Sequence, residues 1–260
     1  MRILVCFRPE PKLELLPASA WQEDRIPEEM LYQKPGWNCF EESALALSLA
    51  LQKQSDGAVQ LGALTIGNGF WSGFAQTLYA LGFSEVIAVD EEPEQFRSQI
   101  TSEIAAAVAQ KYGYQILIAG RQSGLGGSGS VPLIAAEILR WPCISNVTNL
   151  SWDAGFLLVT NQSEMGVLTQ QISGQYVLSV GNATLTTLPV PTLRDKLSLG
   201  RTPVTVLHRE NLGLTYSPAA AFTLLHLRPV RQKRSGQILC GQTAELVRQL
   251  LAFCYEYKEV

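Results

Sequence analysis

Histidine occurs only twice in these 260 residues, at His208 and His226, and the five cysteines, Cys6, Cys39, Cys143, Cys240 and Cys254, form no CxxC pair. So few nitrogen and paired-sulphur ligands leave no zinc spacing, and an odd cysteine count without pairing suits reduced thiols in a reducing compartment. The two histidines fall in the C-terminal third, and no nucleophile and base stand together in the pattern of a hydrolytic triad. No apolar run approaches the roughly 18 residues of a membrane span, and Ile3 to Phe7, stopped by Pro9, is too short for a signal peptide. Charged residues make up only 17% and the net charge is −3, so nothing pulls the chain as a whole toward nucleic acid. Aromatic residues are scattered rather than interleaved with basic ones. The expectation is a cytoplasmic protein with no membrane span and no nucleic-acid partner.

Hydrophobic residues are plentiful at 47%, enough for a real core. The informative stretch is Gln115 to Pro142, QILIAGRQSGLGGSGSVPLIAAEILRWP. It has a short apolar run from Ile116 to Ala119, a loop with five glycines, and a helical pattern from Val131 to Leu139. A strand that enters a helix through such a turn leaves first-turn amides unpaired, where the helix dipole adds positive charge, and the natural guest is an anion such as phosphate. Ser128, Gly129, Ser130 and Val131 would supply those amides. The loop is neither GxxxxGK[ST] nor GxGxxG in frame with the helix, so neither a P-loop nor a dinucleotide fingerprint is present. A plain glycine connector with no ligand remains the other reading. SGGxDS and HxGH patterns, which accompany ATP cleavage, are also missing.

Residues 1 to 142 read as strand and helix in strict alternation. RILVCF opens as a strand covered on both faces. Arg8 to Trp37, with proline at 9, 11, 17, 27 and 35, is a long excursion. Asn38 caps a helix to about Lys53, with Glu41 at the third helical position where a capping box would place it. Val59 to Ile66, a helix from about Phe70, Glu85 to Val89 and a helix from Gln95 to Tyr112 follow. Asp90, Glu91, Glu92 and Glu94 form an acidic cluster at that helix's start, where the dipole favours acids.

This alternation predicts an α/β fold, a doubly wound, mostly parallel, Rossmann-like sheet of strand order 3-2-1-4-5. Ligands of such sheets sit at the carboxyl ends of the strands, at the switch point between strands one and four. There Cys6, Asn38, Cys39, Phe40, Glu41, Ile66 and the loop from Gly120, Arg121, Gln122 and Ser123 to Val131 would converge. Beyond Pro142 the texture becomes Thr/Ser/Val-rich, and Phe156–Thr160, Gly166–Ile172 and Gln175–Val180 read as antiparallel strands added to the sheet. A short helix near Thr192 to Leu199, an irregular tail and an amphipathic helix from Thr243 to about Tyr257 complete the chain. The expected division is a nucleotide-binding domain over 1–190 and a partner-facing extension over 191–260. The apolar run Ala219 to Leu227 has no obvious partner, and Arg228 to Arg234 carries four basic residues in seven.

Over nearly its full length the chain resembles the beta subunit of electron transfer flavoproteins. RILVCFRPEP is similar to that family's first strand and loop, NCFEESALALSLALQ to its Asn-Pro-Phe helix opening, and ALGFSEVIAV to its third-strand entry. GRQSGLGGSGSVPLIAAEILRWP is similar to GRQAIDGDTGQVGPMLAELL, and LPVPTLRDKL and RPVRQKRSG to C-terminal elements. The resemblance implies an electron carrier rather than an enzyme. It implies a heterodimer whose alpha subunit holds most of the FAD, a beta subunit that holds AMP or a second FAD, and flavin dehydrogenases or ferredoxin-type proteins as redox partners. By position it assigns Cys6, Asn38 to Glu41, Ile66 and Ser123 to Ile134 to the nucleotide. Departures mark a divergent member. Leu125 and Gly127 replace acids, Cys39 replaces proline, Thr186-Thr187-Leu188-Pro189 replaces Asn-Glu-Pro-Arg, and Leu158-Val159-Thr160-Asn161 replaces Val-Glu-Arg-Glu. On the residues alone, a stand-alone adenine-nucleotide-binding enzyme or sensor and a structural partner with a decayed site are the competing readings.

Overall fold

The computed structural model describes residues 1–12, 15–20, 33–67, 71–91, 98–123, 129–199, 202–214 and 238–256. In chain order its strands are β1 (Arg2–Cys6), β2 (Pro9–Pro11), β3 (Pro35–Trp37), β4 (Gln60–Ile66), β5 (Glu85–Val89), β6 (Ile116–Gly120), β7 (Cys143–Asp153), β8 (Phe156–Ser163), β9 (Gly166–Ile172), β10 (Tyr176–Val180) and β11 (Thr205–Leu207). The helices are α1 (Cys39–Gln54), α2 (Ser72–Leu81), α3 (Ser98–Lys111), α4 (Val131–Leu139), α5 (Leu193–Leu199) and α6 (Thr243–Glu256). The main sheet runs β11-β5-β4-β1-β6-β10-β7-β8-β9, and β2 pairs with β3 in a separate antiparallel ribbon.

Double winding follows from the side-chain alternation of β1. Ile3 and Val5 lie in the core that takes Ala44, Leu45 and Leu47 from α1 and Ala75 and Leu78 from α2. Leu4 points the other way, into a core with Ile104 and Val108 from α3 and Ala135 and Leu139 from α4. All three β1 residues are fully buried, as a strand sandwiched between helical layers requires. Because α1 and α2 cover one face and α3 and α4 the other, the winding reverses between β1 and β6, and the expected order 3-2-1-4 is observed in β5-β4-β1-β6.

The fifth place corrects the sequence expectation. It is filled by β10, which runs parallel to both β6 and β7, while in the main sheet β7–β8 and β8–β9 pair antiparallel. The segment read as an added antiparallel strand is thus an interior parallel one, and its Val177, Leu178, Ser179 and Val180 are all buried. The irregular tail also contributes a strand, since β11 pairs in parallel with β5 at the sheet edge. The inward face of α3 uses Ile100, Ile104, Ala105, Ala106, Val108 and Ala109, whereas Ala107 is only half-buried.

At the amino end of the strands, Tyr114 donates its hydroxyl to Glu85 Oε2 at 2.9 Å, and Arg2 pairs with the same oxygen at 3.3 Å while its guanidinium lies 4.6 Å over the Tyr114 ring. Gly62 makes room for this cluster, because a Cβ there would run into the Tyr114 hydroxyl and stand 2.6 Å from its Cζ. Gly62→Ala is therefore expected to destabilise the fold by about 1–3 kcal/mol through overpacking. Chemical denaturation checks this, and an unchanged midpoint would contradict it.

Candidate functional site

β1 ends at Cys6, and the Phe7 N–H continues the ladder to the Leu64 carbonyl at 2.8 Å. Two proline-flanked segments then meet. β2 and β3 pair Pro9 with Trp37 and Pro11 with Pro35, which closes the excursion at its base beside the start of α1. The ribbon is held by aromatic packing, with the Trp37 ring 5.5 Å from Phe7 and 4.6 Å from Phe74 in edge contact. It also delivers Glu10, 7% exposed, to the cap of α1.

Asn38 caps α1 as expected. Its Oδ1 accepts from the Phe40 N–H at 3.1 Å, its carbonyl accepts from the Glu42 N–H at 2.8 Å, and its Nδ2 donates to Glu10 Oε2 at 3.1 Å. The capping-box expectation for Glu41 is corrected. Glu41 Oε2 accepts from the Arg8 N–H at 2.7 Å, so the side chain serves the end of β1. Glu42 Oε1 accepts from the Leu188 N–H at 3.0 Å and ties the same helical turn to the segment after β10.

Across the switch point, β6 ends at Gly120. A Cβ there would stand 2.9 Å from Glu41 Cγ, 3.0 Å from Glu41 N and 3.1 Å from Phe40 Cβ, so glycine lets the first turn of α1 sit directly against the strand end. Arg121 continues the ladder by donating its N–H to the Val180 carbonyl at 2.7 Å, and its guanidinium lies 5.9 Å from the Phe40 ring centroid. Gly129, at φ +65°, turns the returning loop under the Arg121 carbonyl, which would stand 3.0 Å from a Cβ at that position.

α4 then begins. Ser130 makes no side-chain cap bond to its own helix, its carbonyl accepts from the Ile134 N–H at 2.9 Å, and Pro132 takes one amide out of the first turn. Val131 and Leu133 keep N–H groups that have no partner within the helix. Ser102 of α3 fixes the helix start by donating its hydroxyl to the Val131 carbonyl at 3.0 Å.

The structure therefore brings Cys6, Asn38, Cys39, Phe40, Glu41, Gly120, Arg121, Gly129, Ser130 and Val131 to the carboxyl ends of β1 and β6. Ile66, at the end of the neighbouring β4, packs with Cys6 on the core beneath. Gln122 is exposed and Ser123 half-buried at the start of the loop. Ser128 lies outside the described residues, as do Leu125 and Gly127. Sequence reasoning missed Arg8, Glu10 and Trp37. Their only sequence signal was the Pro-Glu-Pro spacing that faces Pro35-Gly36-Trp37.

The site's electrostatics are unusual. Burial is the main cause that pushes the Glu41 carboxyl up to about 8; the Arg8 N–H opposes it, the Glu10 charge adds to it, and the Arg8 guanidinium opposes it again. Burial, followed by the Glu41 charge, pushes the half-buried Cys6 thiol up to about 12, which makes it a packing group rather than a nucleophile. Among the described residues no group of His, Cys, Asp and Glu side chains is placed to hold a metal ion.

The acidic cluster has another partner. Glu91 pairs with Arg209 at 3.2 Å and Asp90 stands 4.0 Å from His208, which joins the end of β5 to the turn after β11. Glu92, Glu94, His226, the run from Ala219 to Leu227 and the basic stretch from Arg228 to Arg234 lie outside the described residues. No helix among the described residues is long and apolar enough to cross a membrane.

Residues 36–195 match the family model described as the electron transfer flavoprotein domain. The chain is also similar to a protein of Escherichia coli (strain K12) described as "Putative electron transfer flavoprotein subunit YgcR", with 26% identity over 255 residues that cover 96% of each chain. The matched region begins at the ribbon beside Asn38 and takes in α1, β6 and α4, while β1 precedes it.

Proposed function

Because the chain belongs to the electron transfer flavoprotein family as a divergent member, we propose that it is the beta-type subunit of such a carrier. It binds AMP or FAD at the β1–β6 switch point and pairs with an FAD-bearing alpha subunit to pass electrons between a dehydrogenase and an acceptor. The observation that carries this reading is the convergence of the starts of α1 and α4, both in the matched region, on the gap between β1 and β6.

The residues suit a nucleotide. The Val131 and Leu133 amides and the α4 dipole favour a phosphate, and the exposed Arg121 adds a cation on the same rim. Phe40 offers an aromatic face beside it. A bound flavin supplies the electron transfer itself, and the chain orients and shields it. No residue of this site needs to form a covalent bond.

The alpha-subunit partner is supported by exposed apolar side chains. Val247, Leu250 and Leu251 of α6 are each roughly half exposed, and Leu193 and Leu197 of α5 more so. Residues 191–260 would then form the extension that reaches the partner, although β11 within it also lengthens the main sheet.

Native mass spectrometry and an absorbance spectrum of the full chain, alone and co-expressed with an alpha-type subunit from the same source, test the proposal. A yellow heterodimer that carries one FAD with one AMP, or two FADs, is expected, and the two compositions tell the subtypes apart. A colourless, ligand-free monomer that captures no partner would overturn it and favour a stand-alone nucleotide binder.

A further inference from the structure

Glu41 is wedged where three elements meet. Its backbone N and Cγ abut Gly120 at the end of β6, and Oε2 accepts the Arg8 N–H beyond β1, while Oε1 has no hydrogen-bond partner among the described residues. Each neighbouring element presents a definite set of charged or titratable groups. β1 presents the Cys6 thiol, Arg8 follows two residues beyond it, and β2 presents Glu10. On α1 itself, Glu42 is engaged with the Leu188 N–H, and beyond β6 Arg121 lies over Phe40. Among the described residues, the approach to α4 offers Gly129 and Ser130 on this side. Among the described residues no cation comes within ion-pair distance of the Glu41 oxygens.

A carboxylate placed here has lost much of its water, has Glu10 for company, and gains only one hydrogen bond and the charge of Arg8. The result is a group that holds its proton up to about pH 8. A nucleotide would bring phosphate charge to the same rim, which raises the cost of ionising Glu41 further. A neutral carboxyl group also has an O–H to donate, which a carboxylate lacks.

We propose that Glu41 is the proton-linked element of the nucleotide site: the nucleotide binds to the chain whose Glu41 is neutral, and binding to the ionised form requires the uptake of one proton at this carboxyl group. The inference rests on the nucleotide reading above and adds a regulation to it. Occupancy of the site responds to alkaline pH through a single side chain.

Isothermal titration of the full chain with AMP, and separately with FAD, over pH 7 to 9 tests it. The AMP phosphate is already dianionic in that range, its second pKa being about 6, so its own ionisation does not imitate the effect. Wild-type affinity is expected to fall about tenfold between pH 7 and 9. Titrations near pH 8.5 in buffers of different ionisation enthalpy should show a proton taken up on binding. In Glu41→Gln the pH slope should vanish, whatever the variant's absolute affinity. A flat wild-type profile without proton uptake, or a slope that persists in Glu41→Gln, overturns the proposal. The absence of binding by either nucleotide at every pH overturns the nucleotide reading itself, and that outcome is distinct from binding without a slope.

Discussion

Gly120→Ala is expected to weaken nucleotide binding by roughly ten- to a hundredfold, the equivalent of about 1–3 kcal/mol of overpacking. All three atoms the new methyl would meet belong to the first turn of α1: the side-chain atoms Glu41 Cγ and Phe40 Cβ, and the Glu41 backbone nitrogen at 3.0 Å. A flexible side chain could swing aside, but a backbone atom in a capped helical turn cannot. Asn38 holds that turn through the Phe40 and Glu42 amides, and Glu41 is anchored to Arg8. The strain is relieved by retreat of the helix start from β6, which opens the site and disturbs Phe40 and Arg121 together. Gly62→Ala is the contrast. Its methyl meets Tyr114 at the amino end of the sheet, so stability falls while the site at the carboxyl end keeps its geometry. Titration of the two variants side by side separates these effects, and equal affinities would show that the α1–β6 approach does not shape the site.

The frame of this site was legible in the sequence because its causes are local. Continuous apolar runs at Ile3–Val5 and Ile116–Ala119 mark strands covered on both faces, and the alternation with amphipathic helices fixes parallel winding and the position of its reversal. Asn38 was recognisable because a cap needs only its own next residues. β10 was harder. Its Val177 to Val180 are all buried, the mark of an interior parallel strand, but they follow Thr- and Ser-rich segments whose alternation belongs to a hairpin. β11, three residues long, is too short to carry a period and exists because the edge of β5 offers it a ladder.

The chemistry of the site was legible only in part, because tertiary contacts displaced local ones. Glu41 stands where a capping box would use it, yet the Arg8 amide at the end of β1 claims the carboxylate from 33 positions away. Glu10 reaches Asn38 only because Pro9 to Pro11 pairs with Pro35 to Trp37, and a proline-rich segment gives little sign of a strand. The glycine loop suggested an anion site from composition, and that reading is a proposal. The particular groups on its rim depended on the ribbon and on the reach of α1 across to β6.

The stability of the chain should report the protonation of Glu41 without any ligand. The folded-state pKa is raised from 4.5 to about 8, so the folded chain holds a proton that the unfolded chain releases across that interval. This contribution is fully present below about pH 4.5 and is lost as the pH rises through about 8, after which no further change comes from this group. Glutamine keeps the carbonyl that accepts the Arg8 N–H and never ionises. Wild type and Glu41→Gln are therefore expected to have similar unfolding free energies near pH 4.5 and to diverge steadily above it. By pH 9 the variant should be the more stable, by an amount on the order of a few kcal/mol. Groups common to both proteins cancel in the difference, so denaturant midpoints measured across pH 4.5 to 9 isolate the one carboxyl group. Parallel curves would mean that Glu41 is ionised in the folded chain, and the proton linkage of the nucleotide site would fall with them.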